Sequence, residues 1–545
     1  MVLKKAFTAA ALTLPALGVM APQAVHAAPV VVAHNPPGRF VRGDVVTGKT
    51  FQHSAPRPAR SPAAGTHTLT LDVLDRAGQP PTDDHDGVVD LISLDGGDDS
   101  SAALTNGHGE TSVPDGKYAV TTQVITAEPG GGTSTTLIYL AKVSITSDAS
   151  LILDARMAKP VRVAVDRQDA RPTSVAVIVS PEGGDADIVL DGNDLYVTPT
   201  AADSGLTYRL QARLTRNGAQ TGSPYIYNVA TTADDIPADP GLSVRTKDLA
   251  AVRTDYASEG GPACAGTHAA VDWGIGLQAG LYAGIGALPA SRVEYFTPGL
   301  TWSSDEGVTT ADCGFAGGNL DGFGRQDVFP RAGSYSRQWN AAPFGPAAGY
   351  LDLNDAGGAV LDVPMLSGPD LESGPAPYSY TTGTSTLRDA TGTVVETADQ
   401  PGFERTWKKP APGKYQLTVD ARRAAPWSDL ATRQHVVWDL TVGDSGKITL
   451  PAVRYRTTLD ADNRAHAGTP QTITLVPDGL DPSASGTPQL WASYDDGATW
   501  KPIAVQTSSG QWTASVPNPA SGHVSLRTRI PGLIDQTVID AYGIG

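Results

Sequence analysis

Basic residues are scarce in this chain. Its 545 residues include 40 lysines and arginines against 57 aspartates and glutamates, and the net charge is −17. Binding to nucleic acid or to an anionic membrane needs clustered positive side chains, and the sequence shows no such clusters. The composition therefore argues against both partners, and we interpret the acidic balance as one that keeps the protein in solution.

Long apolar runs are missing beyond the first residues. No later stretch has the roughly 18 uninterrupted apolar residues of a membrane-spanning helix. The N-terminal stretch MVLKKAFTAAALTLPALGVMAPQAVHAAP places Lys4 and Lys5 before an apolar run and contains a Val25-x-Ala27 cleavage site. We therefore predict a signal peptide over residues 1–27 and a secreted, extracellular chain without a membrane span.

Cysteine is limited to Cys264 and Cys313. In an oxidising extracellular compartment such a pair favours a disulfide bond. The chain-entropy model gives a loop of this length a stabilisation of roughly 4 kcal/mol. The alternative is a pair of buried free thiols.

Helical periodicity is also rare, whereas alternation of apolar and polar residues is frequent. In THTLTLDVLD (residues 66–75), leucine and valine alternate with threonine and aspartate, which is the period of a half-buried strand. Turn sequences such as LTNGHGE and VPDGKY separate runs of this kind and indicate hairpins. The sequence predicts a mainly β protein built from tandem antiparallel β-sandwich modules.

The predicted organisation is a row of β modules behind a linker. Residues 28–64 are rich in proline and alanine and are predicted to be a linker rather than a domain. We predict modules over residues 65–160, 161–247, 248–375 (a middle domain with the disulfide), 376–455 and 456–545, the last of them Ig-like.

Two segments share a turn, then Gly-Lys-Tyr, then an alternating strand. They are SVPDGKYAVTTQV (residues 112–124) and KKPAPGKYQLTVDAR (residues 408–422). The pattern resembles carboxypeptidase-regulatory-like and related prealbumin-type sandwich modules. The resemblance implies that the glycine makes the turn and that the tyrosine packs into the core.

A wider resemblance covers residues 66–545. The phrases that carry it are DLAAVRTDYAS (248–258), RVEYFTPGLTW (292–302), YSRQWNAAPFGPA (335–347), LDADNRAHAG (459–468) and SYDDGATWKPIAV (493–505). They resemble the β-rich region that follows the catalytic domain in large secreted subtilisin-like serine proteases of actinomycetes. In that family a propeptide and a protease domain come first, whereas here only the linker follows the signal peptide. The resemblance implies a non-catalytic accessory region without its protease domain.

Three short motifs nevertheless follow the subtilisin order of Asp, His and Ser. Asp203 lies in ADSGL, His268 in GTHAA and Ser385 in TGTSTL, so a divergent serine endopeptidase is the enzymatic alternative. Each motif departs from the family pattern. The residues before Asp203 are not the continuous apolar run of a buried parallel strand, and no Met-Ala or Pro follows Ser385. We therefore prefer a turn for Asp203, a position near the disulfide for His268 and a strand for Ser385.

SYDDGATW (residues 493–500) fits the Asp-box pattern S-x-D-x-G-x-T-W through Ser493, Asp495, Gly497 and Trp500. This hairpin motif occurs in sialidases and in many unrelated secreted β proteins, where the aspartate bonds to turn amides and the tryptophan packs beneath. SSDEGVTT (residues 303–310) is a candidate for a degraded second copy. The motif predicts a turn, and glycosidase activity would need repeated propeller blades.

Acidic turns could supply oxygen ligands for Ca²⁺. The aspartates are Asp83, Asp84, Asp86, Asp90, Asp95, Asp98 and Asp99. Because they lack the spacing and the bidentate glutamate of an EF-hand, we predict solvated loops and no metal or cofactor site. The alternative is a calcium-stabilised protein that binds carbohydrate or cell wall through exposed tryptophans.

These observations favour a secreted, non-catalytic, multi-domain β-sandwich protein with a binding or structural role. An extracellular protein or a cell-wall polymer is the expected partner, by analogy with the family that the chain resembles.

Overall fold

β-Strands make up nearly all of the regular structure. The computed structural model describes residues 65–81, 87–182, 187–191, 194–275, 278–313, 321–353, 357–370, 380–508 and 511–545. Within these ranges there are a one-turn α-helix, Pro482–Ser485, and two 3-10 turns, Ala155–Met157 and Thr246–Asp248. The predicted fold class is confirmed. The predicted signal peptide and linker lie outside the described residues.

Among the described residues, the first part of the chain, up to Trp339, contributes 22 strands. They are β1 (Thr66–Leu74), β2 (Val88–Ser93), β3 (Ser100–Ala103), β4 (His108–Pro114), β5 (Gly116–Ala127), β6 (Thr133–Ile145), β7 (Ala149–Asp154), β8 (Lys159–Pro160), β9 (Val163–Val165), β10 (Ala170–Pro181), β11 (Asp187–Asp191), β12 (Leu195–Val197), β13 (Leu206–Arg216), β14 (Tyr225–Asp234), β15 (Leu242–Val244), β16 (Ala250–Tyr256), β17 (Ala263–Val271), β18 (Leu281–Ala287), β19 (Ala290–Phe296), β20 (Thr301–Thr310), β21 (Asp321–Val328) and β22 (Gly333–Trp339).

These strands form four larger sheets and one short pair. Sheet 1 has the order β4-β1-β7, and sheet 2 has the order β3-β2-β5-β6-β12-β8. Sheet 3 has seven strands in the order β11-β10-β13-β14-β19-β16-β22, sheet 4 has the order β18-β17-β20-β21, and β15 pairs with β9. Most pairs are antiparallel, but β1 with β7, β12 with β6, β15 with β9, β14 with β19 and β16 with β22 are parallel.

The second half contributes the remaining strands. They are β23 (Gly349–Leu353), β24 (Gly358–Asp362), β25 (Thr381–Asp389), β26 (Val394–Ala398), β27 (Phe403–Lys408), β28 (Gly413–Arg423), β29 (Arg433–Val442), β30 (Gly446–Leu450), β31 (Ala452–Arg456), β32 (Arg464–Ala465), β33 (Gln471–Asp478), β34 (Gln489–Ser493), β35 (Lys501–Ile503), β36 (Val505–Ser508), β37 (Gln511–Val516), β38 (Gly522–Ile530) and β39 (Ile534–Ile544). Sheet 5 is β27-β24-β23-β30 and sheet 7 is β31-β33-β37-β36. Between them, sheet 6 runs β26-β25-β28-β29-β39-β38-β34-β35, with β32 added beside β39.

The central strands of sheets 2 and 3 are buried on both faces because the sheets in this part of the chain are stacked. In β6, Leu137 and Tyr139 belong to the core shared with sheet 3, whereas Ile138 belongs to the core shared with sheet 1. In β13, Leu210 packs toward sheet 2, and the amide of the neighbouring Gln211 donates to carbonyl groups on the side of sheet 4. A strand of this kind has no face left for solvent.

Local turn chemistry explains where many strands begin. Asn106 and Gly107 both have positive φ, at 49° and 72°, which is the two-residue turn that Asn-Gly favours between hairpin strands. The predicted Gly-Lys-Tyr segments open β5 and β28. In each, the tyrosine hydroxyl donates to the carbonyl four residues earlier, Tyr118 to Pro114 at 3.0 Å and Tyr415 to Ala411 at 2.8 Å.

A third copy of this tyrosine contact opens β22, where the hydroxyl of Tyr335 donates to the carbonyl of Arg331 at 2.9 Å. The sequence there reads Gly-Ser-Tyr, so the shared feature is Gly-x-Tyr at the start of a strand. Sequence comparison within the chain missed it because the middle residue differs.

Strand pairing also crosses all four boundaries between the predicted modules. Sheet 2 crosses the first through the pair β12 with β6, and sheet 5 crosses the third through the pair β23 with β30. Sheet 3 continues from residues 161–247 into 248–375 through the pair β14 with β19. Sheet 6 continues from residues 376–455 into 456–545 through the pair β29 with β39. Neighbouring modules therefore share sheets, and the boundaries themselves stay predictions.

Candidate functional site

The two cysteines form the predicted disulfide. Cys264 lies near the start of β17, Cys313 follows the end of β20, and their Cα atoms are 5.1 Å apart. β17 and β20 are hydrogen-bonded neighbours in sheet 4. The bond therefore closes one end of a strand pair in the interior of the middle region, where Cys264 is buried.

His268 lies on the next part of β17, and its partner is an aspartate that the sequence did not single out. Its Nδ1 is 2.8 Å from Oδ1 of Asp305, which stands directly opposite on β20. The imidazole also lies against Tyr282, with 5.2 Å between the ring centroids. The side chains of His268 and Asp305 are 15% and 18% exposed, so this is a half-buried cross-strand pair.

Ser385 is fully buried within β25. Its hydroxyl donates to the carbonyl of Gln400 and accepts the N–H of Gly402, both at 2.8 Å. The oxygen therefore fastens the turn that follows β26. A serine nucleophile needs a neighbouring base for its proton, and the proton of Ser385 is directed at a backbone carbonyl.

Asp203 lies in the turn before β13, with a positive φ of 61°. Its N–H donates to Asp235 at 2.8 Å and its carbonyl accepts from Nζ of Lys142 at 2.7 Å. Its side chain is exposed. Among the described hydrogen bonds none links Asp203, His268 and Ser385 to one another, and each residue stands in a different part of the fold with partners of its own.

The Asp-box residues form one hydrogen-bonded turn between β34 and β35. Asp495 accepts from the hydroxyl of Ser493 at 2.7 Å, from the N–H of Thr499 at 2.8 Å and from the hydroxyl of Thr499 at 2.6 Å. These bonds lower the pKa of Asp495 to about 2, the Thr499 hydroxyl having the largest effect. Gly497 has φ of 86° and lies against the ring of Trp500. The carboxylate is therefore occupied in holding the turn.

The proposed second copy of this motif is wrong. SSDEGVTT lies inside β20, which is extended throughout and pairs with β17 on one side and β21 on the other. The spacing of Ser, Asp and Gly resembled a turn, but the central position of the strand in sheet 4 holds the backbone extended.

A layer of charged side chains lies between sheets 3 and 4, and the sequence analysis did not predict it. Glu294 on β19 is its centre, accepting from Nε of Arg292 at 2.6 Å, from the hydroxyl of Tyr256 at 2.5 Å and from Arg337. Arg337 also donates to Asp327 at 2.8 Å. The side chains of Arg292, Glu294 and Arg337 are 2–3% exposed. We call these residues, with Glu306 and Arg213, the charged layer.

Mutual pairing sets the protonation of the layer. Burial by itself raises the pKa of Glu294, but Arg292 and Arg337 outweigh it and hold the pKa at about 2. Arg213 has no acidic side chain among its described hydrogen-bond partners, which are Asn228 at 2.8 Å and the carbonyl of Thr267 at 2.9 Å. Burial lowers its pKa to about 10.

Glu306 is the exception within the charged layer. It is fully buried on β20, and neither carboxyl oxygen has a hydrogen-bond partner among the described residues. Burial raises its pKa well above the usual range, and the charges of Glu259 and Glu294 add to the rise while Arg292 and Arg337 oppose it. A buried carboxyl in these surroundings is held in its neutral form.

The described residues offer no cluster of three or more His, Cys, Asp or Glu side chains suited to a metal ion. Asp95 accepts the N–H of Lys117 at 2.8 Å, and Asp99 accepts the N–H of Ser93 at 2.7 Å. Asp90 is buried, and Asp98 is exposed. Asp83, Asp84 and Asp86 lie outside the described residues.

Tryptophan does not form an exposed platform in the described part of the chain. Trp302, Trp339, Trp407, Trp427, Trp438 and Trp512 are buried, and Trp273, Trp491 and Trp500 are partly buried. Sugar binding by stacking needs an exposed aromatic face. The tryptophans instead supply core volume, as expected for large aromatic side chains. Separately, no helix in the described residues is long and apolar enough to cross a bilayer.

Comparison with known proteins identifies no family. No protein family matches the chain, and no curated protein matches it. Among solved structures, it is similar to the Bacillus anthracis TIE protein, with 12% identity, a TM-score of 0.12, and coverage of 50% of this chain and 51% of that one. It thus spans about half the length of that protein.

Two adhesins are similar at the same level. A putative adhesin from Bacteroides ovatus has 12% identity and a TM-score of 0.14, covering 36% of this chain and 98% of its own. The pilus adhesin SpaC from Lactobacillus rhamnosus GG has 10% identity and a TM-score of 0.11, covering 80% of this chain and 56% of its own. TM-scores this low carry no inference about activity or partners.

Proposed function

We propose that the chain is a secreted, non-catalytic, multi-domain β-sandwich protein with a binding or structural role. It would be related to the accessory region of subtilisin-like serine proteases, with an extracellular protein or a cell-wall polymer as its partner. The relation to that region rests on the sequence phrases quoted above, and the partner rests on analogy alone.

One observation carries the non-catalytic part of the proposal. The hydroxyl of Ser385 is fully buried and makes two backbone hydrogen bonds, to Gln400 and from Gly402. A nucleophile must reach a substrate carbonyl and pass its proton to a base. Ser385 is buried and has no base among its described hydrogen-bond partners, and the imidazole of His268 is paired with Asp305 in another sheet.

The test is an active-site-directed fluorophosphonate probe on the full secreted chain, together with hydrolysis of a general protein substrate. We expect no labelling and no hydrolysis for the wild type. Labelling of the wild type that is lost in Ser385→Ala and in His268→Ala would overturn the proposal in favour of a divergent serine endopeptidase. A Ser134→Ala variant is the matched control, because Ser134 lies in a second Gly-Thr-Ser tripeptide.

A further inference from the structure

The middle region and the C-terminal part meet at a polar junction. We define it as the contacts of residues 257–262, the loop between β16 and β17, with residues 424–432 and 457–463. The N–H of Asp429 donates to the carbonyl of Glu259 at 3.1 Å, and the N–H of Gly261 donates to the carbonyl of Trp427 at 3.0 Å. The hydroxyl of Ser258 donates to Asp462 at 2.6 Å. Backbone bonds therefore tie the two parts together directly.

A buried ion pair lies beneath these bonds. Arg423, at the end of β28, donates to both carboxylate oxygens of Glu259, and the two side chains are 2% and 0% exposed. The pair makes the junction specific.

Asp429 is the residue that connects the junction to a titratable group. Its carboxylate lies against the backbone of Gly260, where φ is 97° and a Cβ atom would overlap the carboxylate. On its other side, Oδ2 is 3.0 Å from Nη2 of Arg464 on β32 and 3.1 Å from Nε2 of His523 on β38. The position of the 424–432 loop therefore depends on what Asp429 is paired with.

His523 faces charged groups from three other elements. They are Asp429 on the 424–432 loop, Arg464 on β32 and Asp540 on β39, and Asp540 in turn faces Asp496 of the Asp-box turn. Around the imidazole, Asp429 and Asp540 are balanced by Arg464 and a protonated His523. Loss of the imidazole proton leaves this group with excess negative charge beside Gly260.

We propose that the His523–Asp429 contact makes this junction pH-sensitive, closed while the imidazole is charged and looser once it is neutral. The geometry places His523 between two carboxylates. One is that of Asp429, which contacts Gly260 in the 257–262 loop, and the other is the mostly buried carboxylate of Asp540. The same chain would therefore couple its two parts more tightly in an acidic medium than in an alkaline one. The inference is independent of what the protein binds.

The direction of the effect follows from the pKa values. The contact with Asp429 raises the pKa of His523 above 6.5 despite its partial burial, and the pKa of Asp429 is lowered. A histidine whose pKa is raised by folding stabilises the folded arrangement below its unfolded value, and that stabilisation is lost as the pH rises through the folded value. The stabilisation of the junction by charged His523 is therefore lost over a pH range that begins near 6.5 and extends upward.

Hydrogen exchange on the full chain tests the proposal. The probes are peptides covering residues 257–262 and 424–432, compared at about pH 6 and about pH 8.5 after correction for intrinsic exchange. We expect protection of the junction amides to fall at the higher pH. The expected loss is about tenfold for each unit by which folding has raised the pKa of His523. In His523→Gln protection should be low at both pH values.

His435→Gln is the matched control. His435 lies 2.7 Å from Asp420 in another histidine–aspartate pair of sheet 6, but these side chains are 50% and 56% exposed and belong to strands β29 and β28 rather than to the junction. This variant should keep the full pH dependence. Asp429→Asn provides a second variant if His523→Gln does not fold, and it should move the transition down toward pH 6.5.

Four outcomes would contradict the proposal. They are equal protection of the wild type at the two pH values, pH dependence that persists in His523→Gln or is unmoved in Asp429→Asn, and loss of that dependence in His435→Gln. Tryptophan fluorescence checks that each variant is folded, since Trp427 is buried beside the junction.

Discussion

Pairing decides the protonation of the buried carboxyl groups in this protein, as a comparison of Glu294 with Glu306 shows. Glu294 and Glu306 occupy the same charged layer, yet the first is bonded to Arg292, Arg337 and Tyr256, whereas no partner of the second is described. The two carboxyls therefore have pKa values displaced in opposite directions, one to about 2 and the other well above its usual range. Their substitution should have opposite effects on stability.

We predict that Glu306→Gln stabilises the protein at neutral and alkaline pH. A carboxyl whose pKa is raised by folding keeps its proton in the folded state where the unfolded chain has lost it, so stability falls as the pH rises above about 4.3. Glutamine has nearly the same shape and no proton to lose, and it should recover about 1–3 kcal/mol. Thermal unfolding at about pH 4.5 and pH 8 measures the effect, with a gain confined to the higher pH.

Glu294→Gln is the companion experiment. Removing this charge leaves Arg292 and Arg337 buried with less compensation, which should cost about 3–5 kcal/mol. If Glu306→Gln proved as destabilising as Glu294→Gln, the carboxyl of Glu306 would have to be ionised and paired in the folded protein.

At the scale of elements, the disulfide ties two neighbouring strands that the sheet already pairs. Cys264 and Cys313 are 49 residues apart in sequence, and the chain between them includes β18, β19 and β20. The sheet fixes the strands in the folded state, so the bond acts mainly by limiting the unfolded chain.

We predict that the double variant Cys264→Ala, Cys313→Ala keeps its fold and loses stability. For a separation of 49 residues, the loop-entropy estimate is about 4 kcal/mol. Denaturant unfolding with and without a reductant measures it. The reductant should shift the midpoint of the wild type and leave the double variant unchanged; equal midpoints for both proteins in oxidising buffer would contradict this account.

The alternation of apolar and polar residues predicted which segments form strands. It did not predict whether the polar face of a strand meets water or another sheet. THTLTLDVLD became β1 with Leu69, Leu71 and Val73 buried, as the period requires. In β13, however, Gln211 and Arg213 alternate with Leu210 and Ala212 in the same way, and both are buried against sheet 4. A strand with one polar face has the same pattern whether that face meets water or a second polar sheet, so the charged layer could not be predicted from the pattern.

The candidate catalytic residues also show that a sequence motif does not identify a residue's partner in the fold. The order of Asp203, His268 and Ser385 was visible in the sequence, but the partner of His268 is Asp305, which lies 37 residues further along the chain. Strand register places that aspartate directly across from the histidine. Register between β17 and β20 depends on tertiary packing, and no short motif specifies it.

At the scale of the whole molecule, shared sheets make neighbouring modules depend on each other. Sheet 6 contains strands from residues 381–442 and from residues 489–544, joined by the antiparallel pair of β29 with β39. One apolar core includes Leu351 of sheet 5, Leu417 of sheet 6 and Leu475 of sheet 7. A cut between the two predicted C-terminal modules therefore divides both a sheet and a core.

We predict that residues 343–545 unfold as one cooperative unit and that residues 343–450 alone do not fold stably. The shorter fragment lacks β39, which leaves the edge of β29 unpaired and exposed to intermolecular pairing. It also lacks the carbonyl of Pro451, which accepts from the buried Trp438 indole at 2.7 Å. Thermal unfolding followed by circular dichroism should give one transition for the longer fragment. For the shorter fragment it should give none, with aggregation. A sharp native-like transition in residues 343–450 would mean that the module boundary near residue 455 separates independent domains despite the shared sheet.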